Sequence, residues 1–153
     1  MVVAVAVLVA AGLLTGCGDG DDATGDDGAL ELAGVVRTPA LDVSAVELPN
    51  ASEPEPVPTL MKADDGEVLL VYFGYTSCPD ICPTTLSDIS VALGDLPADQ
   101  AERVTVGMVT VDPERDRAEV LSGYLGHSVD RSMALRTEAP EAPATAASAL
   151  GAP

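Results

Sequence analysis

Apolar and polar positions alternate in blocks from Ala63 onward, and each block has the length of one structural element. The run Val68-Leu69-Leu70-Val71-Tyr72-Phe73 follows a polar turn, Ala63 to Glu67. Its length and its β-branched and aromatic bias predict a strand buried on both faces. Leu86, Ile89 and Leu93 then recur at spacings of three and four, which predicts a helix ending near Gly94. Val104 to Val111 reads as a second strand. Asp116-Arg117-Ala118-Glu119 has the form of a capping box, and Val120, Leu121, Tyr124 and Leu125 continue it as a helix face. Ser132 to Arg136 is a third strand candidate. Strand, helix, strand, helix, strand is the pattern of βαβ crossovers, hence an α/β fold with a mostly parallel central sheet and flanking helices.

The flanks are less regular. Ala29 to Val36 and Val43 to Leu48 are short apolar pieces that could pair as a hairpin. Residues 51–59 carry three alternate prolines, Pro54, Pro56 and Pro58, and are expected to form an extended loop. Past Thr137 the chain is rich in alanine and proline; only Ala144 to Leu150 has helical character, as the start of an element left incomplete.

At the other end, Val2 to Leu14 is almost entirely valine, alanine and leucine, too short to span a bilayer and typical of an export signal. It leads into Leu14-Thr15-Gly16-Cys17, which looks like a bacterial lipobox with Cys17 as the lipidated residue; the plain alternative is an N-terminal strand with a chance cysteine. No Lys or Arg precedes the apolar run, so the true start codon is open. Gly18 to Gly28 is too charged and glycine-rich to collapse and reads as a tether rather than a calcium loop, whose ligand spacing it lacks. The expected organisation is therefore a lipoprotein signal peptide (1–16), a flexible acidic tether (17–30), a folded domain (31–137) and a tail (138–153). The mature protein is expected to be lipid-anchored at the cell membrane, facing the extracytoplasmic side.

Composition narrows the functions. Seven basic against 25 acidic side chains leave a net charge of -18, so no nucleic acid is expected as partner. Apolar residues make up 47% of the 153, yet aromatics only 3%, which predicts a light core.

The chemistry gathers where the best strand hands over to a helix, at Gly74-Tyr75-Thr76-Ser77-Cys78-Pro79-Asp80-Ile81-Cys82-Pro83. Reactive groups in open parallel sheets collect beyond the carboxyl ends of strands. Proline is comfortable at the first helical position, which places Pro83 there, Cys82 near the N-cap and Cys78 in the turn leading in. Both sulfurs then sit at the positive end of a helix dipole, which favours thiolate. Three readings of the pair stay open: a disulfide that staples the loop, a dithiol redox pair acting by thiolate attack, and a soft-metal site. Redox pairs usually have two intervening residues, and here there are three. Two thiolates without a hard ligand nearby suit Cu(I), whereas zinc would want four ligands.

Tyr72 to Pro83, taken with Val109-Thr110-Val111-Asp112-Pro113-Glu114-Arg115-Asp116, resembles the SCO/SenC family of copper-delivery proteins over roughly Leu32 to Thr137. The resemblance implies a thioredoxin-like fold, a membrane-tethered exported domain, Cys78 and Cys82 as copper ligands, and delivery to the binuclear copper centre in the copper-bearing subunit of cytochrome c oxidase. The rival reading is an exported thiol:disulfide oxidoreductase using the same pair, in which Cys78 and Cys82 would be catalytic. Asp112 matches an acidic residue that lies near the metal in such folds; on its own, Asp-Pro at a strand end signals a turn. The family's third copper ligand is a histidine on a later hairpin, and this chain ends before it. The expectation is thus a truncated reading frame, incomplete C-terminal strands and an open sheet edge. His127, the single histidine, follows Gly126 and reads as a surface residue at a helix end. A two-thiolate site should hold Cu(I) and hold Cu(II) poorly. Met61, Met108 and Met133 match no single face and read as core packing or chance rather than a methionine copper box.

Overall fold

The structure, a computed structural model, describes residues 36–152. The export signal, Cys17, the tether and most of the first hairpin piece lie outside the described residues. A five-stranded sheet in the order β2-β1-β5-β4-β3 is built from β1 (Glu47–Asn50), β2 (Val57–Leu60), β3 (Val68–Gly74), β4 (Val104–Thr110) and β5 (Ser132–Leu135). Helices α1 (Ile81–Gly94), α2 (Ala98–Ala101), α3 (Ala118–Gly126) and α4 (Ala142–Ala149) complete it. The pairs β3/β4 and β4/β5 are parallel, as the alternating pattern requires, and β1 is antiparallel to both β2 and β5. The result is a mixed α/β sheet that does not close on itself.

Two expectations about the strands need correction, and a third lies outside the described residues: β1 takes up the end of the Val43–Leu48 piece and pairs with β2, while Ala29 to Val36 falls almost wholly among residues not described. Part of the proline segment is itself strand, because β2 is an edge and proline's missing N–H can face away from the ladder there. Pro58 sits opposite Pro49. The strand expected to be buried on both faces, β3, lies at the other edge: Val68 is 53% exposed and the next five residues are only half-buried. An apolar run cannot distinguish a central strand from an edge strand whose faces are partly covered by helices. The buried strand is the interior β4, between β5 and β3, whose Val106, Met108 and Val109 are fully buried.

Two apolar clusters flank the sheet. One joins Leu48, Met61, Val109, Leu135 and Ala146, the other Leu86, Met108, Leu121, Leu125 and Ala134. The helical stripe of α1 turns Leu86 inward, and the α3 stripe turns Leu121 and Leu125 inward, so both helices pack on the Met108 side. Met61 and Met108 are core residues, and Met133 packs half-buried against the first cluster. The segment past Thr137, read above as a separate tail, forms α4 and buries Ala146 against Leu48 and Val109. The Arg37 guanidinium also donates to the Gly151 carbonyl at 3.1 Å, which ties the start of the described chain to its end.

Candidate metal centre

The cysteine segment leaves the end of β3, turns through a Tyr75 carbonyl that accepts the Cys78 N–H at 3.2 Å, and enters α1. The helix begins two residues earlier than the proline suggested: Asp80 is the N-cap, Ile81 and Cys82 are the first two helical positions, and Pro83 is the third. Proline is tolerated there because the first four N–H groups of a helix have no intrahelical acceptor. The Asp80 side chain makes no capping bond. Cys78 takes that role instead, its Sγ accepting the Cys82 N–H at 3.3 Å.

Both cysteines are free thiols and both are buried, at 8% and 3% exposure. Their ionisation is split. The Cys82 thiol, acting as a donor, holds the Cys78 thiol below the usual cysteine range, and the backbone N–H groups of Cys82, Asp80 and Ile81 add to this. Burial pushes Cys82 up, and Cys78 pushes it further, against donation from Tyr72. The helix terminus does the work expected of it, but for one thiol only, because the N–H groups converge on Cys78.

Gly74 is required by this packing. A Cβ there would lie 2.8 Å from Tyr72 Cε1 and 3.1 Å from both Cys82 Sγ and Met108 Cε. The backbone at the end of β3 therefore comes close enough to shape the floor beneath Cys82.

Sequence reasoning missed the group that holds the loop. Asp116 is fully buried and its carboxylate accepts the Thr76 N–H at 3.0 Å, the Thr76 hydroxyl, and the Thr110 hydroxyl at 2.6 Å. It was expected to open a capping box, but Arg117 is the N-cap of α3 and makes no side-chain cap bond. The carboxylate turns inward because three donors from the β3 and β4 ends satisfy it there. Its spacing to Glu119 carried no sign of this; the partners Thr76 and Thr110 are distant in the chain. Arg136 closes the arrangement by donating to the Asp116 and Pro113 carbonyls, both at 3.0 Å.

Asp112 behaves as a turn residue. Its carbonyl accepts the N–H groups of Arg115 and Asp116, and its carboxylate pairs with Arg115 at 2.6 Å. His127 is exposed at the C-cap of α3, with Nδ1 against the Gly123 carbonyl. Among the described residues, no third His, Asp or Glu joins the two cysteines in a cluster able to hold a metal.

The chain is 47% identical over 60 residues to an SCO2-like protein of Rickettsia prowazekii, a stretch covering 39% of this chain and 29% of that protein. It thus spans less than a third of the curated relatives it matches. Among solved structures, the apo Sco1 protein of Thermus thermophilus is 37% identical with a TM-score of 0.57, over 69% of this chain and 60% of the other. Bradyrhizobium japonicum ScoI with copper bound is 31% identical with a TM-score of 0.56, over 69% and 64%. These neighbours share the thioredoxin-like arrangement of sheet and helices. The SCO1/SenC family model matches residues 59–152, which takes in the cysteine turn, the Asp116 anchor and α4 alike, and the chain belongs to that family.

Proposed function

We propose that the protein is a copper chaperone that holds Cu(I) between Cys78 and Cys82 and passes it on during assembly of cytochrome c oxidase. The observation that carries this reading is the pair itself: two buried, unbridged sulfurs at one helix start, with a sulfur rather than an oxygen in the capping position. Soft thiolates select a soft monovalent ion, and Cu(I) tolerates low coordination. Taking up the ion as cargo displaces the protons of both thiols, and release to an acceptor with further ligands reverses the exchange. The lowered Cys78 makes it the first thiolate, and Cys82 follows once the metal offsets its burial. The copper-bound relative supports copper as the ion. The oxidase's copper-bearing subunit as recipient is part of the same proposal. Anchoring through Cys17 at the outer face of the membrane belongs to the same proposal.

The split between the two thiols also suits a thiol:disulfide oxidoreductase, in which Cys78 would attack and Cys82 resolve. Anaerobic titration of the reduced protein with Cu(I) against a competing chelator separates the two. Stoichiometric binding abolished by Cys78→Ser and by Cys82→Ser supports the chaperone. Catalytic turnover of a disulfide substrate without copper, and no retention of Cu(I) against the chelator, would reject it.

A further inference from the structure

The two edges of the sheet are built differently. At the β2 edge the Met61 N–H donates to the Val46 carbonyl at 2.8 Å, so in this antiparallel pair the odd-numbered residues of β2 face β1 and Pro58 faces outward. Proline offers no N–H there, and the strand is four residues long. Both features discourage a further strand.

The β3 edge has neither. Val68 donates to the Arg103 carbonyl at 2.8 Å, and the Gly74 carbonyl accepts the Val111 N–H at 2.9 Å. Val68, Leu70, Tyr72 and Gly74 are therefore the residues whose backbone bonds to β4. The N–H and C=O groups of Leu69, Val71 and Phe73 point away from the sheet, and among the described residues no strand pairs with them. The strand runs for seven residues without a charge or a proline, the kind of edge that recruits another chain.

Its register is complementary to itself. Turned about a twofold axis at Val71, the strand meets a second copy antiparallel, with Val71 opposite Val71 and Leu69 opposite Phe73, so the outward residues fall on one another as hydrogen-bonded pairs. Leu70 meets Tyr72 in the closer positions between them, aliphatic against aromatic. Val71 and Phe73 belong to the Leu48 side of the sheet and Tyr72 to the Met108 side, so both apolar layers continue across the axis. Glu67, next before the strand, falls opposite the uncharged Tyr75, so no like charges face each other along the pair.

We propose that the β3 edge is a homodimer surface, on which two copies of this chain pair antiparallel through Leu69, Val71 and Phe73 and join their five-stranded sheets into one. Association closes at two copies, because the proline-bearing β2 edge does not extend it. A seven-residue strand pair is small against the roughly 1,000 Å² that a stable interface needs, so the dimer is weak, with Kd on the order of 100 µM. The cysteine turns, which follow Gly74, lie at opposite ends of the paired strands.

The reduced full chain is tested by sedimentation and by amide hydrogen exchange, from about 10 µM to about 1 mM. Sedimentation is expected to show monomer and dimer with nothing larger, the dimer tightening as added salt screens two copies of net charge -18 from each other. Exchange at Leu69, Val71 and Phe73 is expected to slow several-fold with concentration, while Leu70 and Tyr72, already bonded to β4, do not respond. Val71→Pro deletes an outward donor that β4 does not use, and is expected to abolish the dimer. A single monomeric species at about 1 mM would overturn the proposal. So would association that leaves those outward amides unprotected, open-ended assembly, a dimer that loosens as salt is added, or a folded Val71→Pro that pairs like the wild type. Should Val71→Pro fail to fold, the exchange pattern of the wild type decides alone.

Discussion

Asp116 and Thr76 stand 40 residues apart in sequence, and a single buried carboxylate takes both the backbone N–H and the hydroxyl of that threonine. Thr76 lies two residues before Cys78. The link therefore sets the position of the cysteine turn from the second half of the fold. Thr110 at the end of β4 donates to the same carboxylate and accepts the Asp112 N–H at 3.0 Å, so the two signature segments meet through one side chain.

Asp116→Ala is expected to leave these donors unpaired in the interior. The cost should be about 3 kcal/mol, within the range for buried hydrogen bonds to a charged group. Urea unfolding of the reduced protein measures it. A loss below about 0.5 kcal/mol, the scale of an ordinary surface substitution, would show that the carboxylate is not the anchor.

Gly74→Ala tests the floor of the site. The added methyl meets Tyr72, Cys82 and Met108 at 2.8 to 3.1 Å, so one of them must move. Overpacking of this kind costs about 1–3 kcal/mol. Because Cys82 Sγ is one of the three, Cu(I) affinity should fall along with stability. Retained affinity in a destabilised variant would mean that Tyr72 or Met108 alone gives way.

The cysteines should part company in pH-resolved alkylation. A lowered Cys78 keeps its thiolate as pH falls below the usual cysteine range, and a raised Cys82 gains its thiolate only above that range. Because the Cys78 value is lowered on folding, its contribution to stability is present above the unfolded value and is lost as pH falls through the folded one. The raised Cys82 has the opposite sign: its contribution is present below the unfolded value and fades as pH rises through the folded one. Mass spectrometry of labelled peptides from the native protein should find Cys78 modified at a pH where Cys82 is not. Equal labelling across the range, or the reverse order, contradicts the arrangement at the α1 start.

Ala146→Leu examines whether α4 belongs to the core. Ala146 is 2% exposed and packed against Leu48, Val109 and Leu135. The larger side chain should destabilise by about 1–3 kcal/mol in chemical denaturation. An unaltered midpoint would mean that α4 is not docked on that cluster.

Local pattern alone determined much of this protein. The alternation of β-branched runs with three-and-four spacings specified β3, α1, β4, α3 and β5 in order, and the parallel pairing of the three strands followed from the crossovers. The cysteines, their place at a strand-to-helix transition and the preference for thiolate are likewise properties of neighbouring residues, since a helix dipole and its free N–H groups act over a single turn. What lay beyond the sequence depended on contacts between distant segments. Whether β3 is central or at an edge is decided by which strands pair with it, and whether a proline segment can be strand depends on its having an open side. The inward turn of Asp116 depends on Thr76 and Thr110, and the unequal ionisation of Cys78 and Cys82 on the burial of Cys82 and on the hydrogen bond between the two thiols. Short-range spacing encodes helix and strand because their periods are local; the partners that satisfy a buried carboxylate are brought together only when the chain is folded.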